Sequence, residues 1–290
     1  MSKIDKISDA LFGIKNAVTN LKYALHSVPE LKENSKFQNK YKGKRCFIVG
    51  NGPSLKMQDL SLLENEYVFT VNQAIRNENF VKMKSNFHFW ADANFFIIDE
   101  NKPEDMELLG TMKSVSQGNE NIEVFFPIEQ KDFVTKFGLD KSLNVNYFSS
   151  ALCMTEKYRK KIDFTKAIPM YGTVVQWCII AAIYMGFSEI YLLGCDNTSL
   201  MVTLKSALNV NDDDDYAYHI SENEKKRMEN LITRNGLESY TEAYLGTLRD
   251  YRIIYGYCRR NNISLVNCSA QTVIDSVPRE KFEDVIAGKV

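Results

Sequence analysis

Apolar residues recur at three- and four-residue spacing through the first 25 positions: Ile4, Ile7, Leu11, Ile14, Val18, Leu21 and Leu25, with Lys3, Lys6, Lys15 and Lys22 elsewhere on the wheel. That period predicts an amphipathic helix. Such a helix packs on the following domain, pairs with a second copy of the chain, or lies on a membrane surface. Ser27 to Lys44 is polar and lysine-rich and reads as a linker. Residues 1–40 are therefore expected as leading helix and linker, and 41–290 as one large domain.

From Arg45 the pattern changes to short apolar runs separated by helical stretches. Candidate strands are Cys46 to Val49, Tyr67 to Val71, Phe87 to Ala91, Ile122 to Phe126, Ile190 to Leu193 and Ser264 to Asn267. Their alternation with helices predicts an α/β, Rossmann-like fold with a mostly parallel sheet flanked by helices. Val174 to Met185 is almost entirely apolar and must be a helix buried against that sheet. Asn197 to Tyr240 is polar, holds the Asp212 to Asp215 run and a charged stretch Glu222 to Glu229, and shows no clear strand. It is expected to be a lid insertion or a loop, at about residues 197–240.

Composition narrows the class. The 36 basic and 37 acidic residues nearly cancel, so bulk charge calls for no nucleic-acid partner. None of the six cysteines forms a CxxC pair, and several sit in apolar runs where a thiol behaves as a small hydrophobe. A reduced, cytoplasmic protein is expected. The N-terminus has no continuous apolar stretch of the kind a secretory signal needs, and Val174 to Phe187 is too short to span a bilayer.

The candidate chemistry lies at strand ends. Arg45 to Leu55 reads RCFIVGNGPSL, a strand running into a tight Gly50-Asn51-Gly52-Pro53-Ser54 turn. Glycines let backbone amides approach a ligand closely, Asn51 and Ser54 add directed hydrogen bonds, and Pro53 suits a first helical turn. The turn is neither the dinucleotide fingerprint nor the Lys-Ser/Thr phosphate loop. Asn72 and Asp92 follow two more strands, and Asp196 follows a fourth, so a parallel sheet would carry them to one edge. Taken singly each is also an ordinary turn-capping residue. Thr173 after Gly172 is placed to cap the buried helix, whose amide end would face the same crevice. Of the histidines, His26 and His88 fall where structural roles are expected. His219 sits in the insertion beside Tyr216 and Tyr218, and histidine is the side-chain type that exchanges protons near neutral pH. The Asp212 to Asp215 run is either a solvated loop or a divalent-metal ligand.

CFIVGNGPSLK, Val71-Asn72-Gln73 and AAIYMGFSEIYLLGCD (Ala181 to Asp196) together resemble the bacterial sialyltransferases of glycosyltransferase family forty-two. They equally resemble the surface-polysaccharide proteins described as 6-hydroxymethylpterin diphosphokinase-like, as does the ending NCSAQTVIDSVPREKFEDV (Asn267 to Val285). The likeness runs from about Lys44 to the end. It implies a metal-independent enzyme with no bound cofactor that takes a CMP-activated nonulosonic acid. It would place Asn51, Gly52, Pro53, Ser54, Asn72, Gln73, Asp92, Gly172, Thr173 and Asp196 around the donor, and His219 as catalytic base. Two departures stand out. The sialyltransferases have an Arg and a Thr-Ser-Gly turn before the buried helix where this chain has Met170-Tyr171-Gly172-Thr173-Val174, and aromatic residues after Gly-x-Asp where it has Asn197-Thr198.

The leading expectation is therefore inverting transfer of a sugar from a CMP-linked donor to a cell-surface glycan or lipid-linked glycan, with Tyr216 or Tyr218 helping to stabilise the leaving phosphate. The alternatives are ATP-dependent pyrophosphoryl transfer, which needs magnesium, and a non-catalytic nucleotide-sugar-binding protein. A peripheral membrane contact or a homo-oligomer would involve the leading helix.

Overall fold

The computed structural model describes residues 12–19, 21, 28–208, 210, 216–232 and 236–289. The strands are β1 (Arg45–Val49), β2 (Tyr67–Val71), β3 (Phe87–Phe89), β4 (Glu123–Pro127), β5 (Asn144–Leu152), β6 (Ala167–Pro169), β7 (Glu189–Leu193) and β8 (Ser264–Asn267). The helices are α1 (12–19), α2 (Pro29–Lys32), α3 (Phe80–Met83), α4 (Pro103–Lys113), α5 (Lys131–Lys136), α6 (Val174–Met185), α7 (Ser199–Ala207), α8 (Glu222–Ile232), α9 (Leu237–Arg260) and α10 (Phe282–Ile286).

The strands form one parallel sheet in the order β6-β5-β4-β3-β2-β1-β7-β8. The chain steps outward from β1 to β6, then returns through α6 to add β7 on the other side of β1. The direction of winding thus reverses between β1 and β7, which is where an open α/β sheet leaves a crevice at the carboxyl ends of its strands.

Alternation along each strand divides the core between two faces. Cys46, Ile48, Phe69, Phe87, Phe89, Phe125, Ile190 and Leu192 pack under α6 and α9. Phe47, Val49, Val68, Trp90, Val124, Phe126 and Leu193 pack under α3, α4 and α10. Covering both faces is why these strands read as continuous apolar runs. His88 is fully buried on β3 with Nδ1 2.9 Å from Thr70 Oγ1, and burial pushes the imidazole down to about 3, so it stays neutral in a structural role as expected. All six thiols are unbridged.

Two strands lay outside the sequence expectation. β5 is interrupted by Asn144, Asn146 and Ser149, and its buried Asn146 is tolerated because it donates to Glu123 Oε2 at 2.8 Å. β6 has only three residues. The insertion at 197–240 is helical over much of its described length, carrying α7, α8 and the start of α9. Asp212 to Asp215 lie outside the described residues, as do His26 and most of the leading helix.

The described turns of α1 meet the domain through a polar side chain. Asn16 Nδ2 donates to Cys153 O and its Oδ1 accepts from Cys153 N, both at 2.8 Å, so the amide copies a strand partner at the end of β5. The stripe residues Ile14, Val18 and Leu21 are 60–63% exposed instead of packing on the domain. No helix among the described residues is long and apolar enough to cross a membrane.

Candidate functional site

The loop leaving β1 runs alongside the loop leaving β7. Gly50 N donates to Leu193 O at 2.8 Å and Gly52 N to Gly194 O at 2.9 Å, extending the β1–β7 ladder past the strands. A Cβ on Gly50 would lie 2.5 Å from Gly194 O, and one on Gly52 would lie 2.4 Å from Asp196 Cγ. These glycines therefore permit close approach of the β7 exit, and their amides are already bonded to protein. That corrects the expectation that they open the backbone to a ligand. Pro53 begins a short 3-10 turn, Pro53–Met57, as its fixed φ suggests.

Ser54 and Asp196 close the seam. Ser54 N donates to Asp196 Oδ2 at 2.8 Å and Ser54 Oγ to Oδ1 at 2.5 Å, so both carboxylate oxygens are engaged by one residue. Burial pushes the Asp196 carboxyl upward, and the two Ser54 bonds oppose that rise. Asp196 was expected around the donor; its buried carboxylate ties the two loops together.

The polar residues after β1, β2 and β3 stitch neighbouring strand ends. Asn51 Nδ2 donates to Val71 O at 3.1 Å, and Asn72 Oδ1 accepts from Ala91 N at 3.3 Å. Asn72 takes a φ of 47°, a left-handed conformation that asparagine tolerates better than most residues. Asp92 caps the next turn, accepting from Asn94 N at 2.9 Å. Gln73 is buried and donates to Glu224 Oε1 at 2.5 Å while accepting from Arg76 Nε.

Gly172 and Thr173 begin α6, with Thr173 as N-cap and its N–H donating to Gln176 Oε1 at 3.2 Å. α9 covers this helix start. Gln176 Nε2 donates to Thr247 O at 2.9 Å, a Cβ on Gly172 would meet Thr247 Oγ1 at 2.4 Å, and the Gly172 N–H donates to the Asp250 carboxyl. Tyr244, on the same helix, donates to Asn197 O at 2.7 Å, so α9 links the start of α6 to the residue after Asp196.

The insertion comes back over the β1 loop. Ala217 N donates to Asn51 O at 3.2 Å, and Asn77 Nδ2 donates to Ala217 O at 3.3 Å. This pins the backbone two residues before His219, whose side chain is exposed. The Tyr216 and Tyr218 rings lie 5.6 Å apart. Burial drives the Tyr218 hydroxyl far above its ordinary range, with Tyr216 and Glu224 adding to the rise and Arg76 opposing it. Tyr218 therefore belongs to the underside of the insertion, and His219 to its surface.

Beneath lies a charged network that the sequence reading missed. Arg76 pairs with Glu107 at 2.9 Å, and Glu107 also accepts from Ser221 Oγ at 2.7 Å and Asn223 Nδ2 at 2.8 Å. Arg227 donates to Asp105 Oδ1 at 3.2 Å and to Asn94 O, and its guanidinium lies 5.3 Å from the Phe95 ring. These contacts hold α8 on α4. A second set missed from sequence clamps the β7 exit: Cys195 N donates to Ser269 Oγ and Thr272 Oγ1 to Cys195 O, both at 2.8 Å, while Val273 N donates to Asp196 O at 3.0 Å. The only sequence signal for it was the NCSAQTV resemblance. Among the described residues no three His, Cys, Asp or Glu side chains converge as a metal-binding group.

The site thus unites Asn51 to Ser54, Asn72, Gln73 and Asp196 with the segment that carries Tyr216 to His219, while Asp92 caps the exit of β3 and Gly172 and Thr173 enter through α9. A family model described as 6-hydroxymethylpterin diphosphokinase MptE-like matches residues 15–199, a span that covers β1 to β7 and the Asp196 loop. No curated protein matches the chain.

Proposed function

The chain belongs to the 6-hydroxymethylpterin diphosphokinase MptE-like family, and from that premise we propose a transferase that takes a nucleotide-activated donor at the β1–β7 crevice and passes its sugar to a glycan hydroxyl. The donor is a CMP-linked nonulosonic acid, as the resemblance to the bacterial sialyltransferases implies. The observation that carries this reading is the hydrogen bond from Ala217 N to Asn51 O. It sets the segment bearing the exposed imidazole of His219 over the loop that leaves the central strand at the winding reversal.

In this reading the acceptor oxygen attacks the anomeric carbon from the face opposite the nucleotide, and His219 takes the hydroxyl proton. The bond from anomeric carbon to phosphate oxygen breaks, and its electron pair leaves with CMP. Donors aimed at the developing phosphate charge lower the barrier. Of the two tyrosines this reading gives the task to Tyr216, because the charges of Glu224 and Arg76 already act on the buried Tyr218 hydroxyl. Asp196 and Ser54 tie the two loops together, and Gln73 carries the position of α8 to the exit of β2.

The family description motivates a second reading, pyrophosphoryl transfer from ATP with magnesium. The described carboxylates give it little support: both oxygens of Asp196 are taken by Ser54, and Asp92 caps Asn94. Thermal-shift measurements with CMP, UDP, GDP and ATP, each with and without magnesium, separate the two. A ligand at about 100 times its dissociation constant stabilises the fold by about 2.7 kcal/mol. CMP alone should raise the melting temperature, whereas a response confined to ATP with magnesium favours the second reading. His219→Ala should lower transfer by about 10²- to 10⁴-fold with donor binding retained; wild-type transfer in that variant removes the base assignment.

A further inference from the structure

α1 turns its polar side to the domain, the reverse of an ordinary amphipathic surface helix. Asn16, whose amide exchanges two hydrogen bonds of 2.8 Å with the backbone of Cys153, fixes which side faces the protein. Phe12 and Gly13 flank it over the strap that joins β5 to β6, sharing a hollow with Cys153, Tyr158 and Lys160. At 3.6 residues per turn Ile14, Val18 and Leu21 fall on the side of the helix opposite Asn16, and all three are exposed. The apolar stripe therefore points outward, away from the core that would ordinarily bury it.

The surface beside the stripe is basic. The strap contains the run Lys157-Tyr158-Arg159-Lys160-Lys161, and its four cations are exposed. The two carboxylates of the strap are committed elsewhere, Glu156 to Arg252 and Asp163 to Lys166 at 2.9 Å. Arg159 donates to the backbone carbonyls of Glu156 and Tyr158, contacts that leave its charge uncancelled. Lys15 adds an exposed cation on α1 itself. The whole chain carries a formal net charge of -1, so the patch is a local concentration of positive charge and does not reflect bulk composition.

We propose that α1 and the strap dock this protein on the surface of an anionic lipid bilayer. Ile14, Val18 and Leu21 enter the acyl boundary, while Lys15, Arg159, Lys160 and Lys161 meet the headgroup phosphates. The helix lies on the membrane and does not cross it, since no helix among the described residues is long and apolar enough to do so. A second copy of the chain fits this face less well. A two-fold contact through the stripe would set each strap near its copy, and like charges brought together oppose association. The docking surface stands on these residues alone and is independent of the proposed transferase activity.

Flotation of the full chain with vesicles of equal parts phosphatidylglycerol and phosphatidylcholine, and with vesicles of phosphatidylcholine alone, tests it. The anionic vesicles should hold the protein about tenfold more tightly or better, and the difference should shrink as salt is raised. Ile14→Gln/Val18→Gln and Arg159→Gln/Lys160→Gln/Lys161→Gln should each weaken binding to the anionic vesicles by about tenfold or more, with melting temperature confirming that both variants fold. No binding to the anionic vesicles, equal binding to both kinds, or affinity unchanged in either variant overturns the proposal. So does light scattering that shows a dimer which Ile14→Gln/Val18→Gln separates into monomers, because a second copy then covers the stripe.

Discussion

Ser54 gives Asp196 two hydrogen bonds, from its backbone N–H at 2.8 Å and its hydroxyl at 2.5 Å, and so joins the exits of β1 and β7 at the point where the winding of the sheet reverses. The carboxylate is 2% exposed, so its removal leaves two buried donors unsatisfied. Asp196→Ala should cost about 1–3 kcal/mol, read as a shift of the urea midpoint at constant slope. Ser54→Ala removes only the hydroxyl and keeps the N–H bond, so it should cost less. The reverse order would show that the tie is not the main role of Asp196.

Gly52 makes the tie possible by leaving room for it. Its replacement by alanine puts a Cβ 2.4–2.7 Å from the three carboxylate atoms of Asp196, a side chain that Ser54 prevents from turning away. Gly52→Ala should destabilise by about 1–3 kcal/mol, as overpacking does. Combined with Asp196→Ala, which removes the obstructing carboxylate, it should cost clearly less than the sum of the two single changes, with a coupling of about 0.5 kcal/mol or more. Simple additivity in urea unfolding would exclude the clash as the cause.

How much of this was legible in the sequence follows from the range of the interactions. β2 and the whole of α6 stand at their expected bounds because a buried parallel strand or helix is apolar through most of its length and ends abruptly, and β8 stands at its own because Ser264 and Asn267 bracket its apolar pair. Once the strands are parallel, the gathering of Asn51, Asn72 and Asp196 at one edge follows from geometry. The roles of Gly50 and Gly52 did not, because a glycine required by a ligand and one required by a neighbouring chain look alike until Gly194 and Asp196 are seen against them. The docking of α8 was also hidden. Arg227 meets Asp105 across 122 residues of sequence, and a charged stretch carries no local sign of which face will be buried. β5 was lost for a similar reason, its Asn146 being acceptable only because Glu123 receives it.

Arg227 is 5% exposed and lies among Asp105, Glu224 and the Asn94 carbonyl. Arg227→Met keeps much of the packing volume but leaves buried carboxylates without their cation, a change that costs about 3–5 kcal/mol. Because α8 contacts α4 from outside the two-faced core, the loss should be local. Hydrogen exchange should rise across α8 and around Ala217 while amides of β1 and β7 stay protected. Uniform loss of protection through the sheet would mean that α8 and the sheet unfold as one unit.

Asp250 makes the start of α6 sensitive to pH. Burial raises its carboxyl from the ordinary 3.8 to about 6, against the opposing hydrogen bond from Gly172 N–H. Between those two values the folded chain holds the proton more tightly than the unfolded chain does, so the contribution to stability is complete below about pH 4 and is lost as pH rises through about 6. Asp250→Asn keeps an oxygen for the Gly172 N–H and cannot ionise. Relative to wild type it should change the melting temperature little near pH 4 and raise it near pH 7. Partial solvent screening limits the gain to on the order of 1–2 kcal/mol, or about 2–6 °C. Melting curves of both proteins across this range, compared as a difference at each pH, isolate the one carboxyl from all others. A difference that stays flat would show that Asp250 ionises as freely in the folded chain as in the unfolded one, whereas a difference that grows downward toward acid would reverse the sign of the argument.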